Sequence, residues 1–196
     1  AGAGYARWDF TGIVSVGEVC RRLLYQPISG RYIAVASSST DDDPEQVRLV
    51  AITLAGLLDT SFNPIGSMPG VFDVPFGNGS KNTFGDAAVD ALRRVVVLAQ
   101  TSLDPGQTQY RTQVARVTAA GNRDTTFGSP NGIAPVPMRF LASPDTERFA
   151  VPRSGVLRFD KSRPLALFGV RDSGSDTELA LARLTTDAIF ENDFEQ

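Results

Sequence analysis

LAGLLDTSF, at residues 54–62, recurs as AAGNRDTTF at residues 119–127. The two copies of this repeat motif share a glycine, an aspartate and a phenylalanine at matching places: Gly56, Asp59 and Phe62, then Gly121, Asp124 and Phe127. Similarity at a fixed spacing is typical of repeat proteins, whose small units cannot each bury an apolar face alone. The sequence therefore predicts similar units that stack on one another.

A strand, a turn and a second strand precede the repeat motif. YQPISGRYIAVAS at residues 25–37 has this pattern, and ASPDTERFAV at residues 142–151 repeats it. DALRRVVVLAQ at residues 90–100 keeps the second strand but lacks the turn proline, which predicts a tighter hairpin. A degenerate third copy of the motif is assigned to residues 158–169, and a further unit begins at residues 180–187.

The rest of the pattern also predicts strands. RYIAVAS, RRVVVLAQ, QVRLVAITL and TQVARVTA are short and rich in branched residues, and in part they alternate polar with apolar side chains. No stretch carries a sustained helical stripe, and glycine, proline and asparagine are dense between the apolar runs. These signals favour a sandwich, a barrel or a propeller, and the repeat favours a propeller.

The repeats resemble the delta-sixty family of bacterial proteins, whose units read roughly QPDGKIVVAG followed by FALARLNADGSLDTSFG. The matching residues are Gln26-Pro27 with Gly30-Arg31, both motif copies, and Leu181-Ala182-Arg183-Leu184. The resemblance implies an all-β, β-propeller-type repeat domain over residues 1–187, with about three four-stranded blades in an incomplete ring. Residues 188–196 would be a C-terminal tail. The resemblance implies no catalytic residues, and the third unit lacks the Asp-Thr pair.

The motif has a mechanical explanation. A glycine after a strand supplies a positive φ, the aspartate accepts hydrogen bonds from backbone donors that follow it, and the phenylalanine returns to the core. Catalytic roles for Asp59 and Asp124 are the alternative. Because the two carboxylates stand at equivalent places in successive units, they should lie far apart, which favours the structural role.

Composition excludes several functions. The apolar fraction of 42% excludes general disorder, and the net charge of −3 without a basic run argues against nucleic acid. No stretch is long and apolar enough to cross a membrane. Without histidine, neither Ser-His-Asp nor Cys-His catalysis nor an imidazole metal site can form. Cys20 is the single cysteine, so no internal disulfide exists, and its neighbours predict that it is buried.

Acidic loops are the remaining candidates for chemistry. Asp41, Asp42 and Asp43 form one cluster, and Asp172 with Asp176 flanks Ser-Gly-Ser in another. Oxygen-rich loops can hold calcium, although neither loop has the spacing of a known calcium loop. Consecutive carboxylates also commonly solvate an exposed turn. We therefore expect no cofactor, with calcium as the single candidate ligand.

The two ends of the chain bear on localisation. The sequence opens at Ala1 without a methionine, a charged leader or an apolar stretch, so we expect that any export signal has been removed or was never present. IFENDFE at residues 189–195 is similar to the IFxNGFE ending of exported proteins from Gram-negative gammaproteobacteria. This similarity implies export. The alternative is a final strand whose two phenylalanines dock on the core.

The number of units predicts a partner. About three blades cannot close a ring, and an open arc would expose apolar faces and strand edges. A second copy or a missing N-terminal fragment should close it, with residues 5–10 and 178–184 at the junction and Trp8 as an anchor.

The expected function is that of an exported, non-catalytic binding or scaffold module. One alternative is a glycan or ester hydrolase whose carboxylates converge at the central pore. The other is that the chain is the structural part of a larger protein.

Far-ultraviolet circular dichroism should show strand with almost no helix, because the repeated apolar segments are short and bounded by turns. A helix content near the globular average of about one third would contradict the repeat interpretation.

Overall fold

A computed structural model describes residues 17–39, 46–76, 82–102, 110–128, 132–136, 156–160, 163–172, 177–184 and 190–191. Side chains are described in the first two sheets and their loops, and the third sheet is described by its backbone. Several predicted features lie outside the described residues: the hairpin at 142–151, Trp8 and the strand at 5–10, Asp41, Asp42, Asp43 and Asp176.

The described residues form three antiparallel four-stranded sheets and no helix. The first sheet contains β1 (Gly17–Gln26), β2 (Arg31–Ser39), β3 (Gln46–Thr53) and β4 (Val71–Asp73). The second contains β5 (Asn82–Val89), β6 (Val95–Ser102), β7 (Tyr110–Val117) and β8 (Ile133–Pro135). The third contains β9 (Val156–Asp160), β10 (Arg163–Asp172), β11 (Thr177–Leu184) and β12 (Phe190–Glu191). The all-β prediction is confirmed, and no sheet among these strands closes on itself.

The first two sheets have the same construction. In each, the strands follow one another as neighbours, and the first strand carries a register shift, between Cys20 and Arg22 in β1 and between Phe84 and Asp86 in β5. The predicted tighter hairpin is also confirmed. Gln26 pairs with Arg31 across residues 27–30, whereas the Asp90 N–H donates to the Arg94 carbonyl (3.0 Å) across residues 91–93.

The assignment of a third motif to residues 158–169 is wrong. That stretch covers β9 and most of β10, the hairpin that begins the third sheet. In the first two sheets, the bridges Ile52–Leu58 and Val117–Arg123 stand at the start of the motif loops. Leu184 pairs with Phe190 at the same separation of six residues, so this pairing is the equivalent of those bridges in the third sheet. The third counterpart of the motif therefore begins after β11, and Phe190–Glu191, assigned to the tail, form β12.

One apolar core joins the first and second sheets. Residues that pair directly across strands share a face of the sheet. We call the face of the first sheet that carries Ile33, Val35 and Leu49 its forward face, and its opposite the rear face. The forward face packs in a single buried cluster with Ala87, Val95, Val97 and Ala115 of the second sheet. By strand register, these four residues lie on one face of the second sheet, the one equivalent to the rear face of the first.

Polar contacts fix the stacking of the two sheets. The Gln26 side-chain amide donates to the Arg93 carbonyl, which brings the two hairpins together. Arg22 and Asp86 form an ion pair at 2.9 Å between the two first strands. The Asn63 N–H donates to the Ala120 carbonyl at 2.7 Å. The three contacts thus join the hairpins, the first strands and the motif loops of the two sheets.

Cys20 corrects another expectation, because its side chain is exposed. It pairs with Ala36 on the rear face of the first sheet, in the outer strand β1. The apolar neighbours that predicted burial lie on a strand whose rear face remains accessible.

The two motif glycines provide a matched test of the stacking. Both glycines have positive φ, +78° at Gly56 and +85° at Gly121. A Cβ added to Gly121 would lie 2.6 Å from the backbone nitrogen of Asn63. A Cβ added to Gly56 would meet nothing within 4 Å. Gly56→Ala should lose about 1–2 kcal/mol of unfolding free energy from backbone strain. Gly121→Ala should lose roughly 1–3 kcal/mol more, because the clash forces the motif loops apart.

Urea unfolding of both variants measures the difference. Equal losses at the two positions would contradict the stacking of the second motif loop on the first.

Candidate functional site

The repeat motif forms the same hydrogen-bonded loop in both sheets. In the first copy, the Thr53 N–H donates to the Leu57 carbonyl (2.8 Å), and the Gly56 N–H donates to the Thr53 carbonyl (2.9 Å). The second copy has the same bonds at 2.8 Å and 2.9 Å, made by Thr118, Asn122 and Gly121. Each loop therefore turns the chain back beside its third strand with identical backbone geometry.

One oxygen of each motif aspartate organises the turn that follows it. Asp59 Oδ1 accepts from the Ser61 N–H (3.0 Å) and from the Ser61 hydroxyl (2.6 Å). Asp124 Oδ1 accepts from the same two groups of Thr126, at 3.1 and 2.6 Å. A hydroxyl residue two positions after the aspartate is therefore part of the motif.

An arginine binds the second oxygen of each aspartate. Arg31 Nη1 lies 3.0 Å from Asp59 Oδ2, and Arg116 Nε lies 2.7 Å from Asp124 Oδ2. Arg94 also approaches Asp124 Oδ2, at 3.7 Å. The sequence prediction missed these cations. Arg31 and Arg94 are far from the motif in the chain, and Arg116 lies on β7, outside the motif copy that begins three residues later. The signal that could have found Arg31 and Arg94 is an arginine that opens the second strand of each unit.

The same arginines cover the motif phenylalanines. The Arg31 guanidinium carbon is 5.7 Å from the ring centre of Phe62, and that of Arg116 is 4.5 Å from the ring centre of Phe127. Both rings are buried. A cation over an aromatic face adds an attraction that does not depend on burial alone. Aspartate, arginine and phenylalanine therefore form one cluster in each sheet.

These bonds set the ionisation of Asp124. Burial by itself raises the pKa of the carboxyl group, but the hydrogen bonds from Thr126 and Arg116 and the Arg116 charge outweigh burial. The net effect lowers the pKa of Asp124 below its ordinary value. A carboxylate held in this way stays ionised and is poorly suited to transfer a proton at neutral pH. The two aspartates also belong to different sheets, as expected from their equivalent positions.

The structure brings no metal ligands together in the described part of the chain. No group of three or more cysteine, aspartate or glutamate side chains gathers there. Asp172 is the last residue of β10, and residues 173–176 connect β10 to β11. Residues 40–45 make the equivalent connection, from β2 to β3. The two acidic loops thus stand at corresponding places in the first and third sheets.

Exposed apolar side chains mark one end of the sheets. We call this the turn end; it contains residues 27–30, 54–70 and 90–94, which connect strands of the first and second sheets on the same side. Six large apolar residues are exposed there: Ile28, Leu54, Leu57, Ile65, Met68 and Leu92. Ile28 is 88% exposed and has a φ of +71°, a conformation that β-branched residues rarely adopt. The sequence prediction did not find this surface.

No family model matches the chain, and no curated protein and no solved structure is detectably similar to it. Within the described residues, no helix is long and apolar enough to span a bilayer.

Asp124→Asn should destabilise the protein more at neutral than at acid pH. The folded-state pKa lies below the unfolded one, so the stabilisation is complete above the ordinary aspartate pKa of about 3.9 and is lost as the pH falls through the lower folded value. At pH 7 we expect a loss of about 3–5 kcal/mol, because the buried Arg116 loses its charged partner and keeps only the Thr126 hydroxyl (3.1 Å).

Below the ordinary aspartate pKa, the difference between Asp124→Asn and the unmodified chain should narrow. Urea unfolding across this range measures it, and a loss that stays constant with pH would contradict an ionised, arginine-bound Asp124.

Proposed function

We propose that this protein is a non-catalytic binding or scaffold module that uses its turn end to bind an apolar segment of a partner. Its four-stranded sheets would be the blades of a propeller-type repeat of the delta-sixty kind. The observation that carries the proposal is the exposure of six large apolar residues at one end of the sheets. Several exposed large apolar residues at one end of a protein favour an interaction site there.

Ile28 gives the strongest support. It occupies the tip of the first hairpin at a positive φ, where glycine or asparagine would cost less. Because its side chain is almost fully exposed, packing within the chain does not offset that cost. A strained residue that contributes nothing to the core favours a role in binding. Leu92 occupies the equivalent hairpin tip in the second unit and is also exposed.

The motif carboxylates support a non-catalytic role. Asp59 and Asp124 are each held by an arginine and by the hydroxyl residue of their own turn. A glycosidase needs two carboxylates that converge on one cleft, one of them free to give up a proton. The motif acids are instead engaged in structural bonds, which favours binding over hydrolysis.

Export is a further part of the proposal. It rests on the similarity of residues 189–195 to the ending of exported Gram-negative proteins. In an exported module, the turn end would meet peptides or surfaces outside the cell. We also propose that calcium binds at the acidic loops, one of which contains Asp172.

The experiment is selection of a random phage-displayed peptide library on the immobilised chain. We expect enriched peptides with aromatic and aliphatic residues, because burial of each large apolar side chain contributes about 1.5–3 kcal/mol. Ile28→Asn should lose these peptides while gaining a few tenths to about 1 kcal/mol in unfolding free energy, because asparagine accepts positive φ. Val19→Asn, an exposed position away from the turn end, is the matched control and should keep binding.

A library that yields no enriched peptides, or peptides that bind Ile28→Asn as tightly as the unmodified chain, would refute binding at the turn end.

A further inference from the structure

The rear face of the first sheet exposes apolar side chains on the strands β1 and β2, beside the turn end. Leu23 is 59% exposed, Tyr25 51% and Tyr32 37%. The two tyrosine rings lie beside each other, with centres 5.4 Å apart. Aromatic and aliphatic residues side by side on a sheet face are the composition of a buried interface core.

The equivalent positions in the second sheet are covered. Register aligns Leu23 with Ala87, Tyr25 with Val89 and Tyr32 with Val95. Ala87 and Val95 are fully buried, and Val89 packs on the same core, which the forward face of the first sheet completes. In this protein, the rear face of a repeat is therefore a surface that another repeat covers. Among the residues that the structure describes, none covers that surface of the first sheet, where Leu23, Tyr25 and Tyr32 are exposed.

The motif loops give a second, independent observation. Gly121 is buried against Phe62 and Asn63 of the preceding loop. Gly56, the same glycine in the first unit, would have nothing within 4 Å of an added Cβ. Phe62 and Asn63 fill the space beside Gly121. The equivalent space beside Gly56 is open. The sheet face and the loop are open on the same side.

We propose that the rear face of the first sheet docks the forward face of the third sheet of a second copy of this chain. Backbone register assigns six apolar residues to the forward positions of the third sheet: Val156, Ala166, Phe168, Val170, Leu179 and Leu181. β9 lies beside β5, as β5 lies beside β1, so the three sheets follow one another in chain order. The rear face of the first sheet and the forward face of the third sheet are the two ends of this series.

The packing between sheets identifies the occupant. The rear face of the second sheet is covered by the forward face of a whole four-stranded sheet, the first. A second copy supplies the equivalent face with its third sheet. The contact is head to tail, and such contacts form a closed assembly when the rotation between copies completes a ring. Two copies would bring together six four-stranded sheets, within the usual range for a propeller. Closure of a ring of six sheets rests on the proposed propeller-type arrangement. The assignment of the docking face does not depend on that arrangement.

Light scattering on the purified chain, across a range of concentrations, tests the proposal. We expect a species of twice the 21.0 kDa chain mass. Leu23→Lys should return it to the single-chain mass with an unchanged circular dichroism spectrum, because the position is exposed within one chain. Leu92→Lys, which is similarly exposed but at the turn end, is the matched control and should keep the doubled mass.

Cys20 supplies a second readout that requires no new variant. It is exposed, and it shares the rear face of the first sheet through its pairing with Ala36. Its alkylation by iodoacetamide should slow as the fraction of paired chains rises, and Leu23→Lys should restore the fast rate.

A single-chain mass at every concentration, with fast Cys20 alkylation, would overturn the proposal in favour of a preceding repeat as the natural cover. Open-ended growth in mass would overturn the closed pair. A doubled mass that survives Leu23→Lys would overturn the choice of face. Peptide binding at the turn end does not depend on these outcomes, so either proposal can fail without the other.

Discussion

The contact between successive motif loops is the constraint on which the rest of the structure depends. Phe62 is fully buried and forms the surface that Gly121 approaches, and the Asn63 N–H donates to the Ala120 carbonyl at 2.7 Å. A side chain at Gly121 would have no room there. A sheet with two apolar faces is stable only when both are covered, so this contact fixes which face of one sheet meets which face of the next.

The charged residues follow from the same requirement. A turn that carries its aspartate into the edge of the core must satisfy two carboxylate oxygens, because an unpaired buried charge is costly. The chain meets this need with a hydroxyl on one oxygen and an arginine on the other, and the arginine also covers the phenylalanine ring. The acids that look most like catalytic residues in the sequence are thus parts of the fold, whereas the turn end and the rear face of the first sheet expose apolar side chains.

The sequence by itself determined the strands, the repeat and the turn chemistry. Branched residues in short alternating runs predicted β2, β3, β6 and β7, and the missing proline predicted the tighter hairpin before β6. These features depend on local backbone preferences and on periodicity, which neighbouring residues encode. The third motif was misplaced for the same reason: a residue alignment without strand pairing could not show that residues 158–169 form a hairpin.

Only the tertiary structure decided which residues meet. Arg116 lies on β7 and reaches Asp124 across a loop, and Arg22 reaches Asp86 from another sheet. The exposure of Cys20, Ile28 and Tyr25 likewise depends on which faces are covered, and no local pattern records that. Leu23 and Ala87 hold equivalent positions, yet one is exposed and the other buried, because the first sheet lies over the rear face of the second.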